Sequence, residues 1–318
     1  MIDLNGKQIL VTGGCGFIGS NFIEMCLSMY PGVEIHNIDK MGVGSRSLNP
    51  KLKPSGRYHF IPFDLRDEED ITPIFKKLDF DYIFHFAAES HVDRSISGPV
   101  PFIANNVGGM VALLELVRNY FPKARVINVS TDEVYGDLKE DDPPFTENTL
   151  LDPHSPYSAS KASADLIAKS YCHTYGLDVV TTHCCNNYGP YQAQEKFIPT
   201  VIRNILRGTH IPLYGNGENI REWIFVDDHN KSLLEIAGEG FYSGRSYNIY
   251  SGVEKNNKEI ILDIADILGK SSKIAFVEDR KGHDFRYALE SLSYTRHFKL
   301  EDYSQALKKT VEFYKNVK

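Results

Sequence analysis

Thr12-Gly13-Gly14-Cys15-Gly16-Phe17-Ile18-Gly19 follows the apolar run Gln8-Ile9-Leu10-Val11 and leads into a helical pattern that reaches Met29. A strand that breaks into glycines and restarts as a helix has a limited set of uses. Gly13 permits a tight turn, Gly16 lets a pyrophosphate approach the backbone, and Gly19 lets the helix pack closely on the strand. The opening of the helix, with Phe17 and Ile18, presents free N–H groups and the positive end of the helix dipole to phosphate oxygens. A glycine triplet alone also fits an ordinary strand–helix turn; its surroundings make it specific. Asp39 stands twenty residues beyond Gly19 at the end of the next strand pattern. There a carboxylate accepts the ribose hydroxyls of NAD and repels the 2′-phosphate of NADP. Lys40 is a neighbouring cation that could tolerate that phosphate, so the acidic position favours NAD while NADP stays open.

Outward from this turn, β-rich runs alternate with helical patterns, as in a parallel sheet covered by helices. Strands are expected at 8–12, 34–39, 58–62, 82–86, 126–130 and 179–183, and helices at 18–29, 68–77, 103–119 and 157–175. The runs ILVT, YIFHF and VINVS are nearly continuous apolar stretches, as strands buried on both faces require. The fold class is therefore α/β, a doubly wound parallel sheet of the Rossmann type. Beyond Asn187 the rhythm changes, with Pro and Gly punctuating shorter elements. One more strand and turn is expected at 246–252, with helices at 258–268 and 302–317. No repeat or linker separates the halves, so a smaller intertwined α/β lobe is expected. Residues 1–187 and about 224–250 would bind the dinucleotide, and about 188–223 with 251–318 the substrate.

The chain has 318 residues, 42% of them hydrophobic, enough to bury a sizeable core. Its formal net charge of -7 argues against a nucleic-acid partner. Cys15, Cys26, Cys172, Cys184 and Cys185 make an odd set with no C-x-x-C spacing, so neither a disulfide framework nor a metal site is indicated and a reducing compartment fits. The start lacks the basic and apolar regions of a signal peptide. No apolar run reaches the ~18 residues of a membrane span. A cytoplasmic protein without membrane or nucleic-acid partners is expected.

Tyr157-Ser158-Ala159-Ser160-Lys161 places a tyrosine and a lysine on one helical face, one turn apart. A free phenol ionises near pH ~10, so it is a poor base unless a cation stabilises the phenolate, and Lys161 can supply one. An incidental Tyr–Lys pair is common. Behind a glycine-rich strand–helix turn and a fifth strand ending in Ser130-Thr131, the pair reads as a redox site. Asp132 and Glu133 follow directly, and two carboxylates at a strand's C-terminal end can remove one proton while delivering another.

The G-x-x-G-x-x-G spacing resembles the extended short-chain dehydrogenase/reductase family. That resemblance implies that Asp64-Leu65 lies near the adenine, that Ala87-Ala88 lines the cofactor cleft, and that Asn105 and Asn106 contact the cofactor or brace the site. The run Ser130-Thr131-Asp132-Glu133-Val134-Tyr135-Gly136 is similar to that of the nucleotide-sugar 4,6-dehydratases, above all those acting on dTDP-glucose. The resemblance covers almost the whole chain. It implies that Ser90 and Asn186 face the sugar, that Asn187 meets the cofactor, and that Lys196 and Phe197 follow in the substrate site. Arg221 and Arg280 match diphosphate-binding arginines, whose planar forks suit phosphate oxygens. Pro212, Tyr214, His283 and Tyr287 would neighbour the nucleotide, with Asn257 or the adjacent Asn256.

The implied reaction uses Tyr157 as base and Thr131 to orient the 4-hydroxyl, with NAD reduced and reoxidised within one turnover. Glu133 would take the carbon 5 proton and Asp132 would protonate the departing 6-hydroxyl. Homodimerisation through helices at about 100–120 and 157–175 is also implied. A nucleotide-sugar 4-epimerase or decarboxylase would need everything except Asp132-Glu133, and a non-catalytic NAD-binding protein could dispense with Tyr157 and Lys161 as well. Three departures from the family pattern stand out: Met41-Gly42-Val43-Gly44-Ser45-Arg46 replaces the usual loop after Asp39, Lys281 stands where proline is usual, and Cys15 stands in place of alanine.

Overall fold

The computed structural model describes residues 1–48, 52 and 55–316. Seven strands form one sheet in the order 246–249, 179–184, 125–131, 82–85, 8–12, 34–38 and 58–61, every neighbouring pair parallel. In chain order these are β1 (Gln8–Thr12), β2 (Glu34–Ile38), β3 (Tyr58–Ile61), β4 (Tyr82–His85), β5 (Arg125–Thr131), β6 (Val179–Cys184) and the late strand Ser246–Ile249. Chain order reverses between β1 and β4, so strand ends diverge there and open a crevice at the C-terminal edge.

Apolar side chains leave both faces of the sheet. On one, Phe22, Ile23 and Cys26 from the helix Phe17–Met29 and Leu233 and Leu234 from Val226–Ile236 are fully buried against Ile9, Val11 and Ile35. On the other, Ile71 and Phe75 of Glu68–Phe75, Leu113 and Val117 of Gly108–Tyr120, and Ala164 and Ala168 of Pro156–Tyr175 pack on Leu10, Ile38 and Ile83. The doubly wound α/β class expected from the sequence is the one observed.

A third core gathers Val201, Ile202 and Ile205 of the helix Phe197–Arg207, Ile260, Ile261 and Ile264 of Asn257–Leu268, and Leu307 and Val311 of Tyr303–Asn316. Around it lie two small sheets. Asn186–Tyr188, Ile220–Phe225 and Glu254–Asn256 form the first, and Ile211–Tyr214 pairs with Ile274–Val277 in the second. Residues 287–294 return to the first core, where Tyr287, Leu289 and Tyr294 are buried.

Strand and helix boundaries agree with expectation within a few residues. The last helix ends at Asn316, and Val317, expected as its final residue, lies outside the described residues. The helix expected at 103–119 departs most. It begins as a wide π-type turn, Ile103–Val107, before becoming α-helical at Gly108. With that lead-in, Val100–Tyr120 is by length and composition apolar enough to cross a membrane, with a mean hydropathy of 1.6 over its most apolar window. It qualifies on mean hydropathy alone, since Asn105, Asn106 and Glu115 interrupt its apolar residues and no uninterrupted run within it approaches ~18 residues. Of that window 44% is buried within the molecule, with Met110, Leu113, Leu114, Leu116 and Val117 packed in the second core.

Phe75 is fully buried and meets the rings of Phe80 and Phe121 at 5.9 and 5.6 Å. Phe75→Ala should cost about 3–5 kcal/mol through lost burial and a residual cavity. Leu150→Ala, at a residue 85% exposed, should cost no more than about 0.5 kcal/mol. Urea unfolding of both variants checks the contrast.

Candidate active site

The crevice at the C-terminal edge is a cleft of about 360 Å³. Its floor is the glycine turn. Gly13 has φ of +69°, and a Cβ there would lie 2.6 Å from the Cα and N of Ala87. A Cβ on Gly19 would lie 2.7 Å from the carbonyl oxygen of Gly13. Both glycines are needed to keep backbone, and nothing else, facing the space above. Gly16, Phe17, Ile18, Asp64, Leu65, Ala87, Ala88 and Asn105 line the same cleft.

Asp39 follows β2 directly. Its Oδ2 accepts the Cys15 N–H at 2.9 Å and its Oδ1 the Met41 N–H at 2.7 Å, which aims the carboxylate at the cleft rim. Burial raises its pKa while these two N–H groups oppose the rise. Lys40 Nζ donates to Asn105 Oδ1 at 2.7 Å and to Asp64 at 3.3 Å, so its charge is already committed. Asp64, paired with Arg66, is held well below the usual carboxylate range. The atypical loop after Asp39 is anchored rather than loose. Arg46 N donates to Cys15 O at 2.8 Å, and its guanidinium lies 3.5 Å over the Tyr191 ring and 2.7 Å from Glu24. Cys15 is buried and accepts from Asn37 Nδ2, as a small packing residue does.

The chemistry sits where β5 ends. Thr131 terminates the strand, and its hydroxyl accepts the Glu133 N–H at 3.3 Å and donates to Asp132 Oδ1 at 3.1 Å. This cap turns the chain into one 3-10 turn, Asp132–Tyr135, so that both carboxylates face the cleft. Across it stands the helix Pro156–Tyr175. Its start is set by a reciprocal Ser155–Ser158 cap with proline in the first turn, and its end by Gly176 in the left-handed conformation. Tyr157 and Lys161 are 8% and 4% exposed, and Lys161 Nζ donates to Val129 O at 2.9 Å. The π-type turn turns Asn106 inward, where its Nδ2 donates to Ser160 Oγ at 2.8 Å and to Glu89 O at 3.0 Å. Such turns recur at functional sites because one extra residue re-aims a side chain.

Burial works on each of these groups. Asp132 is pushed well above the usual carboxylate range by desolvation, then by the carboxylates of Glu133 and Glu222, and its Oδ2 has no hydrogen-bond partner. Glu133 is also raised by burial, but Arg280, Arg221 and Lys196 pull it back toward the ionised form. Tyr157 is raised by burial and by the two carboxylates, with the Thr131 hydroxyl opposing. Burial lowers Lys161, and Asp165 one turn further along the helix opposes that. Asp165 is itself held by Asn128 and Ser130, both at 2.8 Å, and by His183 at 3.1 Å.

Asn186, Asn187, Ser90 and Lys196 complete the cleft wall, with Lys196 Nζ donating to Ser90 O at 2.8 Å. The Oδ1 of Asn187 is buried without a partner. The remaining expected substrate residues are not among those that line this cleft. Arg221 lies 4.3 Å over the Tyr287 ring, but its fork already donates to the carbonyls of Ile220, Phe285 and Asp284. Arg280 is freer, with a buried Nε lacking a partner and a 3.6 Å contact to Asp93. Tyr214 also reaches Asp93, and its ring meets that of His283, which is fixed by Asp279 at 2.6 Å. Phe197 stacks on Trp223. Pro212 is exposed on the same strand as Tyr214. Asn256 caps the helix that Asn257 begins, accepting the Glu259 N–H at 2.9 Å.

Glu89, His91, Arg94, Gln192, Glu195 and both Cys184 and Cys185 line the cleft without having been singled out. Arg94 and Glu195 form an ion pair across it. Their adjacency to Ser90 and Lys196 in sequence was the available signal.

A glycine turn that only backbone can occupy, under a carboxylate-tipped second strand and beside a buried Tyr–Lys pair, defines a dinucleotide-binding protein of the short-chain dehydrogenase/reductase type. The chain belongs to the GDP-mannose 4,6 dehydratase family, whose model matches residues 10–308. It is 41% identical to dTDP-glucose 4,6-dehydratase of Salmonella typhimurium, over 96% of this chain and 92% of that protein. Two solved dTDP-glucose 4,6-dehydratases are similar throughout, each with NAD bound. The Bacillus anthracis enzyme has a TM-score of 0.87 at 41% identity, covering 97% of this chain and 96% of its own. The Streptomyces venezuelae enzyme has a TM-score of 0.87 at 42% identity, covering 97% of each.

Gly13→Ala forces a Cβ against the Ala87 backbone, whereas Gly208→Ala, with a similar φ of +66°, meets nothing within 4 Å. The first variant should release its dinucleotide, binding it at least about tenfold more weakly, equivalent to about 1.4 kcal/mol. The second should keep it. Nucleotide released on denaturing each purified protein decides the matter.

Proposed function

We propose that the protein converts dTDP-glucose to the 4-keto-6-deoxy sugar nucleotide with loss of water, holding NAD throughout. One observation carries this reading: two adjacent carboxylates beside the Tyr–Lys pair sit in unequal environments. Burial raises both, but the carboxylates of Glu133 and Glu222 push Asp132 further up, whereas Arg280, Arg221 and Lys196 oppose the rise at Glu133. Environments that split a carboxylate pair in this way assign an acid and a base. A 4-epimerase has no task for such a pair.

The residues fit NAD. The bare Gly13 floor, the Asp39 carboxylate and the buried Oδ1 of Asn187 await a ligand with a pyrophosphate, ribose hydroxyls and a donor, and Lys40 is already paired. When bound, NAD accepts a hydride from carbon 4 of the sugar and returns it at carbon 6. Tyr157 takes the proton of the 4-hydroxyl, and Lys161 stabilises the phenolate against the burial that disfavours it. Thr131 orients that hydroxyl. The ketone at carbon 4 acidifies the proton on carbon 5, which Glu133 removes. Asp132 protonates the 6-hydroxyl, which leaves as water, and Glu133 returns its proton to carbon 5. Glu133 is thereby restored, while Tyr157 ends with one extra proton and Asp132 with one fewer, and solvent carries that proton from the one to the other.

The third core and its two small sheets, residues 188–223 and 251–318 in outline, form the nucleotide-sugar lobe in this reading, with Arg280 as the principal diphosphate ligand. Residues 1–187 and about 224–250 hold NAD. A homodimer is supported by Val100, Ile103, Leu166 and Tyr175, large apolar residues 47–74% exposed on the two helical segments 100–120 and 156–175. Five free thiols suit a cytoplasmic setting.

Glu133→Gln should still reduce the bound cofactor in a single turnover, yet exchange the carbon 5 proton with deuterium oxide about 100-fold or more slowly. Asp132→Asn should keep that exchange and stall at water loss by a similar factor. Absorbance of the reduced cofactor and mass of the product follow both steps. Wild-type protein that only inverts carbon 4, or variants that make the deoxy sugar at full rate, would overturn the assignment.

A further inference from the structure

At the opposite end of the sheet from the cleft, three metal-ligating side chains converge. Glu34 opens β2, His36 follows two residues later on the same face, and His59 of β3 lies directly across from His36 in the strand register. The two imidazole rings stack at 4.6 Å. Glu34 Oε1 is 2.9 Å from His59 Nε2 and 3.5 Å from His36 Nε2, and the donor atoms all lie within 4.8 Å of one another. Among the described residues this is the one such cluster of His, Cys and carboxylate groups.

We propose that Glu34, His36 and His59 bind a divalent transition-metal ion of the zinc type. An ordinary ion pair between a protonated His59 and Glu34 would account for the 2.9 Å contact alone. It leaves His36 unexplained. That side chain is 7% exposed, and its Nε2 is buried with no hydrogen-bond partner, as is the Nε2 of His59. Two ring nitrogens without hydrogen-bond partners, both beside one carboxylate oxygen, leave their burial uncompensated, and a cation between them satisfies all three atoms. Zinc bonds to imidazole nitrogen and carboxylate oxygen are about 2.0–2.2 Å, which puts tetrahedral donors about 3.3 Å apart. Nitrogen ligands disfavour calcium and magnesium. Gln8, 3.4 Å from Glu34 Oε2, or solvent beside the half-exposed Glu34 and His59, supplies the remaining position. The ion would pin the outer strand β3 to β2 and take no part in the chemistry at the far edge.

The test is zinc titration of chelator-stripped protein against a chromophoric competitor, with thermal melting alongside. Wild type should bind one zinc and melt higher with it. Glu34→Gln and His59→Gln, at half-exposed positions that the fold tolerates, should each weaken binding at least tenfold and abolish the melting shift. Cys172→Ser, at a partly exposed thiol, should change neither. Failure of wild type to bind zinc, or equal affinity and equal shift in both variants, would overturn the site.

Discussion

The backbone of Gly13 runs so close to Ala87 that a single methyl group would lie 2.6 Å from it. That approach joins the turn after β1 to the end of β4, the place where the order of strands reverses. Everything functional follows from seven strands all ending on the same edge. Asp39 follows β2, Asp64 and Leu65 follow β3, Ala87 and Ala88 follow β4, Thr131 ends β5, and Asn186 and Asn187 follow β6. Residues up to 174 positions apart, from Gly13 to Asn187, meet because parallel strands carry their C-terminal ends to one side.

The second constraint is dryness. Asp132, Tyr157 and Lys161, the groups proposed to act on the sugar, are buried, and burial disfavours charge on each of them. Their differences then come from neighbours rather than from residue type. Two carboxylates adjacent in sequence diverge because Asp132 feels the charges of Glu133 and Glu222, whereas Glu133 feels those of Arg280, Arg221 and Lys196. Lys161 is kept in place by Val129 O and lies beside an Asp165 that is held by Asn128, Ser130 and His183. A buried hydrogen-bond network of this kind stiffens the strand end and the helix that face each other, although the Oδ1 of Asn128 stays without a partner.

Much of this was legible from the chain. The strands of the large sheet and the long helices announce themselves through apolar runs and period, because each is buried on the face its pattern predicts. The Tyr157–Lys161 spacing and the Thr131-Asp132-Glu133 string read directly as chemistry. The short elements did not. The helices Phe197–Arg207 and Val226–Ile236 lie between glycine and proline punctuation, and their amphipathic faces are short. The π-type turn at 103–107 left no trace in composition, since it reflects where Asn106 finds partners on Glu89 and Ser160. Arg221 looked like a free phosphate fork; only packing shows its donors bound to three carbonyls.

Local order and spacing therefore determined the fold class, the dinucleotide turn and the strings proposed to carry the chemistry, since these depend on contacts a few residues apart along one strand or helix. The tertiary structure alone decided which charges surround each of the two carboxylates, that Lys40 is paired with Asn105 and Asp64, and that His36 faces His59. Those outcomes depend on strand register and on which charges share a water-poor space, and neither quantity is a property of any segment read by itself.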